Sequence, residues 1–440
     1  MVRRRVRRRE KVGSVNTKVP LATEERVQRY IAERLPAWID LLQRLIRVRS
    51  VFEAEEPIVQ LVADHVAALG ATPHRIAHDP ARLGRLSGAQ RPVSLVQGRS
   101  SLAVRIAGAG SGRSLILNAH LDVVPEGDQA AWRYPPFAAY IDRVESAIYG
   151  RGAMDDKAGV ALALALMECL LKLPMVLEGD VVFHFVLEDE TTGNGTLLCL
   201  DAGYVGDGAL ILDGTRSDRA IAEHAGNLQF EVHLKGTPAS VSVSHLGVNA
   251  AEELARFLLQ LRERIFALNE GRRPPWTRFP SPYQLTVQRL HSDGAQLTVP
   301  ESAWAQCYMT FPPPDSLAAM RQRVEEIAER FAENRGLPQA PVLVWTGFAT
   351  EPVRSMDSPL PTVLRDCAAA LGMPPVDVGP STGTSDMRHF VAWGIPCLLY
   401  GPGAGFNPHR PDEHYRLADF PRMLACCLEV AARWCGLADC

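Results

Sequence analysis

The sequence predicts an α/β fold, a mostly parallel-sheet catalytic domain interrupted by an inserted α+β unit. Three observations predict it. Strand-like and helix-like segments alternate up to about residue 213, the pattern becomes strand-rich after Gly226, and the first pattern returns after Pro341. A chain of 440 residues is too long for one small core, and the usual domain sizes fit two domains. The expected boundaries are 23–224 with 341–440 for the catalytic domain and 225–340 for an inserted lid or dimerisation domain.

The chain starts MVRRRVRRREK, six arginines and one lysine in eleven residues, with no apolar stretch of the secretory kind. Residues 1–22 are expected to be a disordered basic tail, and no function is assigned to it. Apolar residues at helical spacing predict a helix over Glu25–Val48 and a second over Pro57–Leu69. The β-rich runs SLAVRIAG and SLILNAHLDVV follow. A helix then starts near Lys157 and stops before Pro174, and DVVFHFVLED and ALILDG read as buried strands. In sheets of this kind ligands sit at the C-terminal ends of the strands.

In the insert, LQFEVHLKG, YQLTVQRLH and AWAQCYMTF alternate as strands, with helices over Asn249–Leu268 and Ser316–Asn334. A helix near Pro361–Leu371 and the buried strand IPCLLYG complete the first domain. There is no internal repeat.

Composition narrows the function classes. Hydrophobic residues make up 47% and charged residues 22%, with a net charge of -3 and a pI near 6.5, so nothing global points to nucleic acid. The longest apolar runs, such as VALALALMECLL, are shorter than the roughly 18 residues of a membrane span. Nine scattered cysteines without a CxxC pair suit a reduced, cytoplasmic setting.

Imidazoles and carboxylates at the ends of buried strands are the donors that divalent metals take. Five places qualify. In LILNAHLDVV, His120 and Asp122 stand two apart, so on a strand Asp122 would brace the ring of His120. YGRGAMDDKAG presents Asp155 and Asp156 before a helix, where paired acids also serve as caps. Glu188, Asp189 and Glu190 close an apolar strand, a concentration of like charge that a cation would relieve. Asp213 ends ALILD, and His409 lies beyond IPCLLYG.

Taken together, AHLDVVPEGD, YGRGAMDDKAG, EDETTGNG, LDGT, GVNA, GTSDMRHF and GPG with HRPDE resemble, in order, one family. It is the dinuclear-zinc metallopeptidase and amidohydrolase family of acetylornithine deacetylase, succinyl-diaminopimelate desuccinylase, aminoacylase and glutamate carboxypeptidase, and the resemblance covers residues 25–435. It implies that Asp155 bridges two divalent metals, most often zinc and sometimes cobalt or manganese. His120 and Asp213 would complete one site, Glu190 and His409 the other, with Asp122 behind His120. A carboxylate would deprotonate a water that attacks an amide carbonyl and would then protonate the leaving amine.

The sequence departs from that family at several points. The family's general base is a glutamate, whereas Asp189 precedes Glu190 here; Asp189 is the expected base and Glu188 the other candidate. The family's oxyanion-stabilising histidine, which crosses from a partner subunit, is replaced by Ser240, with His245 nearby. Thr310 stands where a lid arginine is common, while Arg388 matches a substrate-carboxylate ligand, with a surface salt bridge as the alternative.

The leading reading is hydrolysis of an N-acyl amino acid or small peptide. The alternatives are an acyl-transferring or amide-forming biosynthetic member, and a metal-binding pseudoenzyme. The expected partners are a small-molecule substrate and a second copy of the chain, docked through the apolar face of GVNAAEELARFLLQL; neither nucleic acid nor membrane is expected.

Overall fold

The computed structural model describes residues 21–438 apart from 92–93, 346 and 404–407, so the basic tail expected over 1–22 lies almost wholly outside the described residues. A nine-stranded mixed sheet forms the first layer system. Its centre is parallel: Val181–Val186, Leu115–His120, Gly208–Ile211 and Cys397–Leu399 lie side by side in that order. The flanks are antiparallel, with Ser100–Ile106 beside Val181–Val186 and Arg219–His224 beside Cys397–Leu399.

The reason for this order lies in the sequence. Every residue of LILNAH and VVFHFV is buried, the continuous pattern of strands covered on both faces. The covering helices include Glu25–Arg47, Glu56–Ala68, Lys157–Lys172 and Phe420–Cys435, close to the expected spans where these were predicted. Of the helix Lys157–Lys172, residues 157–169 are wholly buried, because it is sandwiched between the sheet and the helices Glu25–Arg47 and Phe420–Cys435.

The second sheet is antiparallel and five-stranded, built on Gln284–Asp293, Ser302–Phe311 and Gly226–Lys235. Helices Ala250–Ala267 and Leu317–Arg335 cover one face and enclose a core of their own around Phe230, Phe257, Met309 and Phe331. The short strands Val342–Val344 and Ala349–Thr350 also pair with Gly226–Lys235, so this sheet runs about ten residues past the expected boundary at 340. Strands of three and two residues carry too little alternation to be seen in sequence. The same holds for a third small sheet of Tyr140–Asp142, Ala147–Tyr149 and His414–Arg416. The eight described cysteines are free and buried, and among the described residues no helix is long and apolar enough to cross a membrane.

Candidate metal centre

Register brings the candidate ligands together. His120 ends its strand opposite Val186, so the chain beyond Val186 delivers Asp189 and Glu190 to the same edge. Asn118 lies opposite Ile211, which puts Asp213 two residues past the neighbouring strand end. Asp155 enters from the turn before the helix Lys157–Lys172, and His409 from the segment beyond Cys397–Leu399.

The result is two groups of donors with one member in common. His120, Asp155 and Asp213 form one group and Asp155, Glu190 and His409 the other, the ligating atoms of each lying within 4.8 Å of one another. Asp155 Oδ1 is 2.9 Å from His120 Nε2, while its Oδ2 is 3.3 Å from His409 Nε2. His409 Nε2 also lies 3.0 Å from Glu190. His409 has φ 63°, a left-handed conformation that is uncommon for a side-chain-bearing residue and marks a tightly held turn.

Electrostatics follow from this crowding. Burial pushes Glu190 and Asp213 up to about 7, with the charge of Asp155 adding to the rise in each. Burial also pushes Asp189 up to about 6, His120 opposing it and Asp213 and Asp122 adding to it. Burial works against Asp155 as well, yet hydrogen bonds with His120 and His409 hold it far below the usual carboxylate range. The same contacts overcome burial at His409 and lift it to about 11. Mutually repelling carboxylates converging on two imidazoles form a mixed nitrogen and oxygen donor set of the kind that holds a borderline divalent cation, so the residues present fit two metal ions.

The surroundings correct several expectations. His120 Nδ1 is 2.9 Å from the backbone carbonyl of Asp122 and 3.7 Å from its carboxylate, so the ring is braced by main chain. The strand ends at His120, and strand spacing no longer governs residue 122. The Asp122 carboxylate instead accepts the backbone N–H groups of Asp189 and Glu190 at 3.3 and 3.2 Å, pinning the turn that carries them. Asp156 does not cap its helix through its side chain; Oδ2 accepts the His120 backbone N–H at 3.1 Å.

Glu188 is withdrawn from the site. With φ 73°, it turns its carboxylate into the interior, where His78, Arg99, Thr192 and Asn194 surround it, and burial is outweighed so that it stays near 2. Asp189 is the residue of this run whose carboxylate has no hydrogen-bond partner among the described residues.

Arg388 is neither a surface salt bridge nor a free anion hook. It is buried over Phe348, and its guanidinium donates to the carbonyls of Ser385 and Thr192 at 2.8 Å each. It packs so closely on Gly193, φ 66°, that a Cβ there would lie 1.9 Å from Nη2. Ser240 and His245 are not brought to the donors: residues 240–246 are all exposed, and among the described residues Ser240 Oγ bonds only Ser242 Oγ at 2.9 Å. Thr310 is buried and donates to the Pro282 carbonyl. Sequence reasoning missed Glu413, whose carboxylate reaches the backbone at Asp155; it stood inside HRPDEH, but an acid in a polar loop carries no signal of burial.

Comparison with known proteins agrees with this geometry. The chain is 28% identical over 405 residues to succinyl-diaminopimelate desuccinylase of Paracoccus denitrificans, covering 89% of this chain and 96% of the relative. It is 26% identical over 357 residues to N-formyl-4-amino-5-aminomethyl-2-methylpyrimidine deformylase of Halalkalibacterium halodurans, with 74% and 80% covered. In fold it resembles a di-peptidase of Saccharomyces cerevisiae, with a TM-score of 0.74 at 15% identity over 95% of this chain and 99% of the other. A dinuclear metal binding peptidase of Bacillus subtilis gives a TM-score of 0.64 at 15% identity, with 92% and 99% covered. The pattern of peptidase family M20/M25/M40 matches residues 116–433, and the chain belongs to that family.

Proposed function

We propose that this chain is a dinuclear metal-dependent amidohydrolase that cleaves the amide bond of a small N-acyl amino acid or dipeptide. His120, Asp155 and Asp213 would hold one ion and Asp155, Glu190 and His409 the other. The observation that carries this reading is Asp155, whose two oxygens face His120 and His409 separately at 2.9 and 3.3 Å. Zinc is the proposed ion.

Bound metals supply Lewis acidity and a lowered pKa for water. Asp189 takes the proton of the attacking water and returns it to the leaving nitrogen, a role supported by its unpartnered carboxylate beside the donors and by its elevation to about 6. Asp122 keeps that carboxylate in place by holding the Asp189 and Glu190 amides. Arg388 is proposed to tie the segments at residues 385 and 192 together by donating to both carbonyls, and no part in the chemistry is proposed for the exposed Ser240 and His245.

A succinyl or formyl amide is the proposed substrate class, because relatives that match most of the chain are named for acting on such groups. A homodimer is proposed through the second sheet, supported by exposed Leu246, Leu259, Val287 and Leu290 there, and a cytoplasmic location by the free cysteines. The test is elemental analysis of the purified protein with N-succinyl, N-formyl and dipeptide substrates in parallel. About two metals per chain together with hydrolysis supports the reading. Protein prepared without chelator that holds no metal and regains none with zinc would sink it.

A further inference from the structure

Glu413 is fully buried, four residues beyond His409, and its carboxylate is divided between two tasks. One oxygen accepts the backbone N–H groups of both Met154 and Asp155, at 3.1 and 3.2 Å. The other accepts from Arg151 Nη1 at 2.6 Å, and Arg151 is itself buried against the Trp132 ring, 5.1 Å from its centroid. The Glu413 backbone carbonyl takes the Gly150 N–H at 2.9 Å, and the strand His414–Arg416 that follows pairs with Ala147–Tyr149. The segment bearing His409 is thereby fastened to the turn bearing Asp155.

A second buried carboxylate so near Asp155 is electrostatically adverse, and the Arg151 guanidinium offsets it. What it accomplishes is geometric. Two N–H groups on one oxygen fix the peptide planes on either side of Met154, and these set the direction in which the Asp155 side chain leaves the backbone. Because Asp155 belongs to both donor groups, the seating of one loop governs both.

We infer that Glu413 is a positioning residue for Asp155 that makes the two metal-binding groups form as one unit, so that its alteration weakens both metal-binding steps. This rests on the proposed metal sites. Removal of a group behind a ligand typically costs about tenfold to a hundredfold in metal affinity. Without the coupling, an altered 409 loop would weaken only the group containing His409.

The experiment is zinc titration of the metal-free full chain by calorimetry, with cobalt absorption to follow each step. Both steps should weaken about tenfold to a hundredfold in Glu413→Gln, which sets an amide against Arg151, and in Glu413→Asp, which keeps the charge pair but draws back from the two amides. Glu168→Gln is the control, since Glu168 is a buried acceptor for Tyr30, Arg34 and Trp38 on the helix Lys157–Lys172, about three turns from the end that follows Asp155; it should lower thermal stability and leave both affinities unchanged. Wild-type affinity in either Glu413 variant, or weakening of one step alone, overturns the inference. If neither variant folds, amide exchange in metal-free wild type decides: protected Met154 and Asp155 amides support it and exchange at solvent rates overturns it. A wild-type chain that binds no zinc would instead remove the metal-site reading beneath it.

Discussion

The donor-bearing edge of the parallel sheet and the outer part of the antiparallel unit, the segment 240–246 and the strand Gln284–Asp293, treat their polar side chains in opposite ways. At the edge of the parallel sheet, carboxylates of Asp122, Asp156, Glu188 and Glu413 are buried, and each accepts from named backbone or side-chain donors. In the antiparallel unit, the segment 240–246 exposes every residue, and the strand Gln284–Asp293 is exposed along nearly its whole length. The difference shows where rigid geometry has been built. Groups that must converge on one point sit on strand ends locked by backbone hydrogen bonds, whereas the other unit presents surface that only another body, a substrate or a second chain, would organise.

The largest effect expected from this contrast is at the donors. His120→Ala and Glu190→Ala should each reduce bound metal below that of wild type, read by elemental analysis, and abolish detectable amide hydrolysis; full metal content in both variants would detach the donor groups from metal binding. Next comes Asp189→Ala, which should keep both metals and lower kcat by about a hundredfold to ten-thousandfold, the span of a lost general base. Loss of metal in that variant would make Asp189 a ligand and reverse its proposed role.

Acid should separate the two regions by stability. Burial lowers His184 and His224, both in the parallel-sheet unit, to about 4 from the ordinary 6.5. Above pH 6.5 both states are neutral and the shifts have no effect. As the pH falls through 6.5 the unfolded chain binds protons that the native chain refuses, so stability declines until about pH 4. Each site accounts for roughly 3 kcal/mol over that window at 1.36 kcal/mol per unit. Urea unfolding between pH 7 and 4.5 measures it, and His184→Asn should flatten the slope; an unchanged slope would mean the ring is protonated in the native chain. The smallest effect belongs to the exposed segment. Ser240→Ala and His245→Ala should alter kcat by less than about threefold, since neither touches a donor. A loss near a hundredfold, the size of a missing oxyanion donor, would mean that a second subunit or closure carries the segment into the site.

The legible part of the molecule was the part with periodicity or with order along the chain. The places of the donors were legible from buried strand ends and a Gly-rich turn before a helix, and the choice of His120, Asp155, Glu190, Asp213 and His409 among the acids and imidazoles there rested on the ordered motifs that resemble the family. The roles of Asp122 and Glu188 were not legible, since they depend on what the backbone does after a strand stops: one chain turns so that a carbonyl rather than a carboxylate meets His120, and the other enters a left-handed conformation and points inward. The burial of Arg388 was not legible, because besides Asp386 at 3.4 Å its partners are carbonyls at residues 385 and 192, and a backbone acceptor leaves no trace in side-chain identity. Glu413 needed a contact 258 positions away in the chain, beyond any local pattern.

That distance also says something about the order in which the protein acquires its properties. The strand Cys397–Leu399 is inserted between Gly208–Ile211 and Arg219–His224, and His409 follows it. A nascent chain emerging from the ribosome has already exposed His120, Asp155, Glu190 and Asp213 for nearly two hundred residues before the strand that closes their sheet is made. During that interval the parallel sheet has an open seam where a buried strand belongs, and the acids have no second imidazole. Completion of the donor set is therefore governed by long-range closure of the chain rather than by the local folding of its first half.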